Sequence, residues 1–398
     1  MKPRLSILVV NYRSWFECVQ AVRSFSEHRP HHADGSPMEV ELILVDNASP
    51  EQDEAAIAEL RELIAGFDGG QLILHDENGG YSKGMNLALK YATGDWILVS
   101  NPDVLVKTET IDRLLRAMEG DESIGAGLPE IYWDEGLTAR LPPNILPTIR
   151  DLIGLALAAV SRRWLYRYSR KRTRGAVDVW DARGDVDMPM LSGCFFLMRK
   201  TFIDEIDFFD ERFPLYYEDT DLSRRVQRAG KRVVQIHGCP VVHLYNRSGQ
   251  VEFSAALERY WTSRRRYYRK WYGLVGQWVY DAVQRFLRSN WAEKRKKFDP
   301  YPDLIDIGSH CEKPVLKFDR SYDRVLIEFA LDPYFYLAGG AFGSGDRWCP
   351  EDSMFKGFGP TTYYFRVVDV RDPSQRVIGV YRYTHVSPQV FRPMEVDE

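Results

Sequence analysis

The stretch "LSILVVNY" (Leu5–Tyr12) is apolar without alternation and stops abruptly at Asn11 and Tyr12. A run with no polar face reads as a strand buried on both sides, the mark of a parallel sheet covered by helices. The chain then alternates. "WFECVQAVRSFSEH" predicts a helix and "VELILVDNAS" (Val40–Ser49) a second buried strand. "PEQDEAAIAELRELIAGF" predicts a helix with proline and acids in its first turn, closed at Gly66. "QLILHDEN", "GGYSKGMNLALKYATG" and "DWILVSNPDV" follow as strand, loop entering a helix, and strand. The alternation predicts an α/β fold with a doubly wound, mostly parallel sheet that takes ligands at the carboxyl ends of its strands. Those ends hold polar residues: Asn11 and Tyr12, Asp46 and Asn47, Asn78 to Asn86, Asn101 and Asp103.

The chain of 398 residues is 44% hydrophobic and 28% charged, ordinary for a globular protein with room for more than one domain. A net charge of −4 argues against a general nucleic-acid binder. Cys18, Cys194, Cys239, Cys311 and Cys349 form no C-x-x-C pair, which points to reduced thiols in a cytoplasmic protein rather than disulfides or a zinc site. "MKPRLSILVVNY" enters a strand without a signal-peptide pattern, and the apolar run "LIGLALAAV" (Leu152–Val160) is too short to span a bilayer. Membrane contact is therefore expected to be peripheral.

Beyond the alternating region, positions 137–187 read as irregular and include the basic run Arg162 to Arg174. "MPMLSGCFFLMRK" (Met188–Lys200) is strand-like, and a basic, aromatic helical zone runs from about Ser254 to Lys297. From about Pro300, alternating apolar and polar residues around Gly, Asp and Pro turns predict a small antiparallel β-domain. Its aromatic residues would be core or a sugar-stacking surface.

Several stretches admit two readings. "ENGGYSKGMN" lacks the G-x-G-x-x-G spacing of a dinucleotide site; it is a glycine-permitted turn or a phosphate cradle at a helix N-terminus, with Lys83 as a cation. Asp46 is a helix cap or an acceptor for a base or ribose edge. Asp103 in "SNPDV" is a turn residue or a ligand to a divalent cation. "PLYYEDTDLSRRVQRAGKRV" (Pro214–Val233) crowds Glu218, Asp219 and Asp221 ahead of a basic run. That order complements a helix dipole, or it supplies a general base and the groups that position it.

Taken in order, "SILVVNY", "LVDNAS", "NGGYSKGMN", "SNPDV", "LSGCFFLMRK", "FDERFPLYYEDTDLSRRVQRAG" and "VVHLYNRSG" resemble the inverting family 2 glycosyltransferases, most of all the rhamnosyltransferase-like branch that builds surface polysaccharides. The resemblance runs from about Leu5 to Gly273. It implies a GT-A fold, with a catalytic domain over about 1–250 whose nucleotide-sugar half spans about 1–130 and acceptor half about 131–250. The helical segment 251–299 and the β-rich domain 300–398 would follow.

The resemblance also implies residue roles. Asn11, Tyr12, Asp46, Asn78, Gly79, Gly80, Lys83, Asn86 and Asn101 would line the nucleotide-sugar site. Asp103 and His243 would hold a divalent metal, Mg or Mn, and Asp219 would be the catalytic base beside Glu218 and Asp221. Ser192, Gly193 and Arg225 would shape the acceptor side. Asn101 stands where the family's D-x-D motif has its first acid, removing one anionic ligand. The partners implied are a dTDP- or UDP-linked donor and a glycan or lipid-linked acceptor. The basic runs Arg162–Arg174 and Arg264–Lys270, interleaved with Trp and Tyr, are solvated helix faces or a peripheral contact with anionic membrane, and the overall acidity argues for no nucleic acid. The alternatives are transfer of another hexose from a UDP or GDP donor, and a non-catalytic glycan- or nucleotide-sugar-binding protein on the same scaffold.

Overall fold

The computed structural model describes residues 4–244 and 253–386, with the side chains of 253–256 left aside. The end of the "VVHLYNRSG" motif, after Leu244, lies outside the described residues.

In chain order the first half comprises β1 (Leu5–Asn11), α1 (Trp15–Glu27), β2 (Val40–Asn47), α2 (Glu54–Ala65), β3 (Gly69–His75), α3 (Tyr81–Tyr91) and β4 (Trp96–Ser100). There follow β5 (Val104–Val106), α4 (Thr110–Gly120), β6 (Ile124–Tyr132), α5 (Ile149–Ala158), α6 (Arg162–Trp180) and β7 (Val186–Asp187). The second half closes with β8 (Phe195–Arg199), α7 (Lys200–Ile206), α8 (Glu218–Arg228) and β9 (Arg232–His243).

These strands form one sheet in the order β3-β2-β1-β4-β8-β6-β9-β5, with β7 beside β9. β1 pairs in parallel with β2 and β4, and β2 with β3, as the apolar runs predict. Successive side chains of β1 go to opposite faces: Leu5, Ile7 and Val9 join one core cluster, Leu8 and Val10 the other. β8 then enters antiparallel beside β4, with Ser100 opposite Phe195. That reversal brings the residues leading into β8 alongside the carboxyl end of β4, where Asn101 begins. β5 lies antiparallel to β9 and sets Val104 opposite His243.

Positions 137–187, read from sequence as irregular, contain the helices α5 and α6. In α6 the buried stripe is Leu165, Ser169, Thr173, Ala176 and Trp180. Three of those five, Ser169, Thr173 and Ala176, are small or polar, so the hydrophobic period that signals a helix is muted. α2 begins at Glu54, later than the proline suggests, because Asp53 caps it by accepting from the Ala56 N–H at 3.0 Å.

The basic, aromatic zone forms α9 (Phe253–Leu287) and α10 (Asn290–Arg295). α9 is not one rod. At Gly273 the backbone adopts φ 66° and ψ −158°, a conformation for which a residue without Cβ is suited. Arg265 then reaches Asp281 at 2.8 Å, Arg269 reaches Gln277 at 2.7 Å, and the Tyr268 and Tyr280 rings stack at 5.6 Å. Residues sixteen apart on a straight helix would be about 24 Å apart, so the segment is a helical hairpin folded at Gly273.

The C-terminal part contains β10 (Ile305–His310), β11 (Leu316–Ala330), β12 (Gly339–Trp348), α11 (Asp352–Phe355), β13 (Thr362–Asp369) and β14 (Val377–His385). It forms a separate sheet in the order β10-β14-β13-β11-β12, antiparallel except for the β10–β14 edge pair. α6 joins the two parts: Ala176 and Trp180 pack with Leu326 and Val368. Among the described residues, no helix is long and apolar enough to cross a membrane.

Candidate active site

The carboxyl ends of β1 and β2 are tied together below the surface. The Asn11 side-chain amide donates to Asp46 Oδ1 at 2.8 Å, and Ser49 donates to the same carboxylate through its hydroxyl at 2.6 Å and its N–H at 2.9 Å. Asp46 is 1% exposed and Asn11 is buried. This pair shapes the exits of two adjacent strands, with Tyr12 half-buried at the rim beside it.

The glycine loop before α3 is built by contacts on both sides. Asn78 Oδ1 accepts from the Asn47 amide at 3.0 Å and from the Gly80 N–H at 3.1 Å. Gly80 has φ +88°, and a Cβ there would lie 2.6 Å from the Pro214 carbonyl oxygen. A Cβ on Gly79 would fall 2.7 Å from Lys83 Cδ, so the lysine stem lies across that glycine. Ser82 Oγ donates to the Phe213 carbonyl at 2.5 Å. The loop therefore rests directly on the segment that leads into α8. Asn86, expected at the sugar site, turns to that same segment: it donates to the Phe209 carbonyl at 2.9 Å and accepts from the Phe209 N–H at 3.2 Å.

Tyr81 links the halves, and the sequence reading passed over it. Its hydroxyl lies 3.2 Å from Asn101 Oδ1 and 3.1 Å from the Gly193 carbonyl oxygen. Burial holds its pKa well above the ordinary tyrosine value, reinforced by the Glu218, Cys194, Asp219 and Asp103 side chains, so it stays a neutral donor. The signal was available: it is the aromatic residue directly after the paired glycines, at the first position of the helix. The Asn101 N–H donates to the Cys194 carbonyl at 2.8 Å, and Ser192 Oγ lies 3.1 Å from Cys194 Sγ.

Asp219, half-buried, meets this group from α8. Its Oδ2 accepts the Gly193 N–H at 3.3 Å, and its Oδ1 accepts the Thr220 N–H at 2.6 Å. Burial raises its pKa, and those hydrogen bonds hold the rise in check. Glu218 is more deeply buried, and its Oε2 has no hydrogen-bond partner. Burial and then the charge of Asp219 push it well above the ordinary carboxylic value, since two carboxylates this close resist ionising together.

Asp103 and His243 stand as a pair, with His243 Nε2 3.2 Å from Asp103 Oδ1 and both residues buried. Burial alone would lower the imidazole pKa; the Cys194 side chain and the Asp103 carboxylate overcome it and raise it to about 10. Among the described residues, no group of three or more His, Cys, Asp or Glu is arranged to hold a metal ion. Asp103 and His243 thus offer one carboxylate and one imidazole, an incomplete set that would take a divalent cation only after the histidine gives up its proton.

Asp221 and Arg225 turn elsewhere. Asp221 is fully buried and accepts from Arg225 at 2.9 Å, Lys270 at 2.6 Å and the Trp271 indole at 2.8 Å. Arg225 also donates to the carbonyls of Ile206, Asp207 and Phe208. These residues fix α8 to α7 and to the hairpin; Lys270, read from sequence as part of a membrane-facing basic run, binds Asp221 instead, and Trp271 is a contributor that the sequence reading did not single out.

Comparison with known proteins places the chain. A model of "Glycosyl transferase family 2" matches residues 6–207. A Mycobacterium tuberculosis protein named N-acetylglucosaminyl-diphospho-decaprenol L-rhamnosyltransferase is 30% identical over 154 residues, covering 37% of this chain and 47% of that protein. The chain thus matches about half the length of that relative. A Haloferax volcanii protein named low-salt glycan biosynthesis hexosyltransferase Agl10 is 25% identical over 273 residues, 67% of this chain and 75% of that one. Among solved structures, a mannosyltransferase from Pyrobaculum calidifontis, in complex with GDP-Man and Mn2+, aligns with a TM-score of 0.42 at 14% identity, covering 72% of this chain and 75% of that one. With the family model spanning half the chain from β1 through α7, this protein is a member of glycosyl transferase family 2.

Proposed function

We propose that the protein is an inverting glycosyltransferase that moves a sugar, rhamnose by preference, from a nucleoside-diphosphate donor to a hydroxyl of a glycan or lipid-linked acceptor. The observation that carries the reading is the hydrogen-bonded path from Asp219 through Gly193 and Tyr81 to Asn101, which puts the carboxylate on the same strand-end rim as Asp103 and His243. The rhamnose preference rests on the named relative from M. tuberculosis, and so does a lipid-linked acceptor.

Asp219 takes the proton of the acceptor hydroxyl as the acceptor oxygen bonds to the anomeric carbon and the bond from that carbon to the phosphate oxygen breaks. The Gly193 and Thr220 N–H groups orient the carboxylate, and its raised pKa makes it a stronger base than an exposed aspartate. The glycine loop and the N-terminus of α3 receive the diphosphate, with Lys83 above Gly79 as a cation. Tyr12 lies at the nucleoside end, over the Asn11–Asp46 support, and Ser192 at the acceptor side. Asp103, with His243 once the imidazole gives up its proton, would hold a divalent cation, which when bound offsets the charge of the departing diphosphate. Peripheral contact with an anionic membrane completes the reading, although in the run 264–270 Arg264, Tyr267 and Tyr268 are buried and serve packing.

The test is Asp219→Asn. Donor binding should persist, read by calorimetry with UDP- and dTDP-sugars, while turnover falls by roughly 10²–10⁴, the usual worth of a general base. Near-normal turnover removes Asp219 from this role.

A further inference from the structure

The hairpin of α9 ends in an apolar tip. Leu274, Val275 and Trp278 are 70%, 69% and 71% exposed. Single exposed apolar residues are ordinary, but three gathered within five positions at one turn mark a contact surface. The tip is tightly made: a Cβ on Gly276 would collide with Tyr272 Cβ. Behind it the charge is one-sided. Positions 264 to 288 carry seven Arg or Lys residues against one acid, Asp281, and Arg266, Arg269, Arg285 and Arg288 are exposed.

The first helix of the hairpin is fastened, from Ser263 to within two residues of the turn, to the segment that bears Asp219. Ser263 Oγ donates to the Leu215 carbonyl at 3.0 Å, Tyr217 packs on Tyr267 with ring centres 5.3 Å apart, and Lys270 and Trp271 bind Asp221. An apolar, tryptophan-bearing tip backed by arginines matches the layering of an anionic bilayer surface, acyl boundary beneath phosphates.

We propose that this tip is the membrane-seating element: Leu274, Val275 and Trp278 enter the interfacial layer of an anionic bilayer, and the arginines behind them face the headgroup phosphates. The surface contact stands on the tip alone. Its consequence, that a lipid-linked acceptor is presented to Asp219 by the element bolted to α8, rests on the transferase reading above.

The experiment is co-sedimentation of the full chain with vesicles of phosphatidylglycerol and phosphatidylcholine, and with phosphatidylcholine alone. Wild type should sediment with the anionic vesicles at low salt and leave them at high salt. The triple variant Leu274→Ser, Val275→Ser, Trp278→Ser should lose at least about tenfold in apparent affinity, and Arg269→Glu with Arg285→Glu should lose binding in a salt-dependent way. Circular dichroism melts confirm that the variants fold. Equal sedimentation of wild type and triple variant, or wild type free of every vesicle, overturns the proposal. Self-association that the triple variant abolishes, without vesicle binding, overturns it in favour of a second copy of this chain. Donor turnover on a water-soluble acceptor, measured in parallel, should be the same for wild type and triple variant. If it is absent from both while vesicle binding differs, the transferase reading falls and the seating surface stands.

Discussion

Gly193 lies against Asp219 so closely that a Cβ on residue 193 would sit 3.2 Å from both Asp219 Cβ and Oδ2, and its N–H donates to that same oxygen at 3.3 Å. A methyl group there forces the carboxylate to give by a few tenths of an ångström. The packing around α8 resists that shift, because Glu218, Thr220 and Asp221 are all buried. Gly193→Ala should therefore keep the fold and donor affinity and lower kcat by about tenfold to a hundredfold, the scale on which small misplacements act. Steady-state kinetics against a melting curve separates the two effects.

Glu218 predicts an unusual dependence of stability on pH. Burial, then the Asp219 charge, raise its pKa well above the ordinary 4.5. A raised acid favours the folded state when protonated, so its contribution is fully present below 4.5 and is lost as pH rises through the folded-state value. The substitution Glu218→Gln puts a neutral amide in place of the neutral acid and loses nothing over that range. The variant should gain on wild type as pH rises from about 5 to about 9, because only wild type must bury the charge of an ionised Glu218. Parallel denaturant titrations at the two pH values check it, and a difference of opposite sign rejects a neutral Glu218.

The parallel half of the sheet was legible because β1, β2 and β4 are buried on both faces, and such strands announce themselves as unbroken apolar runs. The strand-end polar residues were legible for the same reason: they stand where the runs stop. What they touch was not. Asn86 and Asn78 look alike in the loop motif, yet one holds the Phe209 backbone and the other shapes the glycine turn, a difference set by contacts more than a hundred residues away in one case. Asp221 and Asp219 are two positions apart on α8, and helical rotation alone sends them to different partners. α6 and the hairpin were missed for opposite reasons. α6 buries small polar residues, and α9 keeps helical composition through a reversal that a single glycine makes possible.

The seam between α6 and the C-terminal sheet depends on a charge that the core cannot leave alone. Arg366 Nε meets Glu328 Oε2 at 2.7 Å, while Nη1 donates to Ser169 Oγ at 2.7 Å and to Tyr301 Oη at 2.8 Å. Thr173 Oγ1 closes the network, donating to Glu328 Oε1 at 2.7 Å. Arg366 and Glu328 are both almost wholly buried, so removing one strands the other without solvent or counter-charge. Arg366→Met should cost about 3–5 kcal/mol in unfolding free energy, whereas the double replacement Arg366→Met with Glu328→Leu should recover most of it, because an apolar pair of similar volume escapes the desolvation penalty. Guanidinium titrations of wild type, single and double variants read this directly. A single variant as stable as wild type would mean that the network does not hold the seam, and that the Ala176, Trp180, Leu326 and Val368 contacts carry it alone.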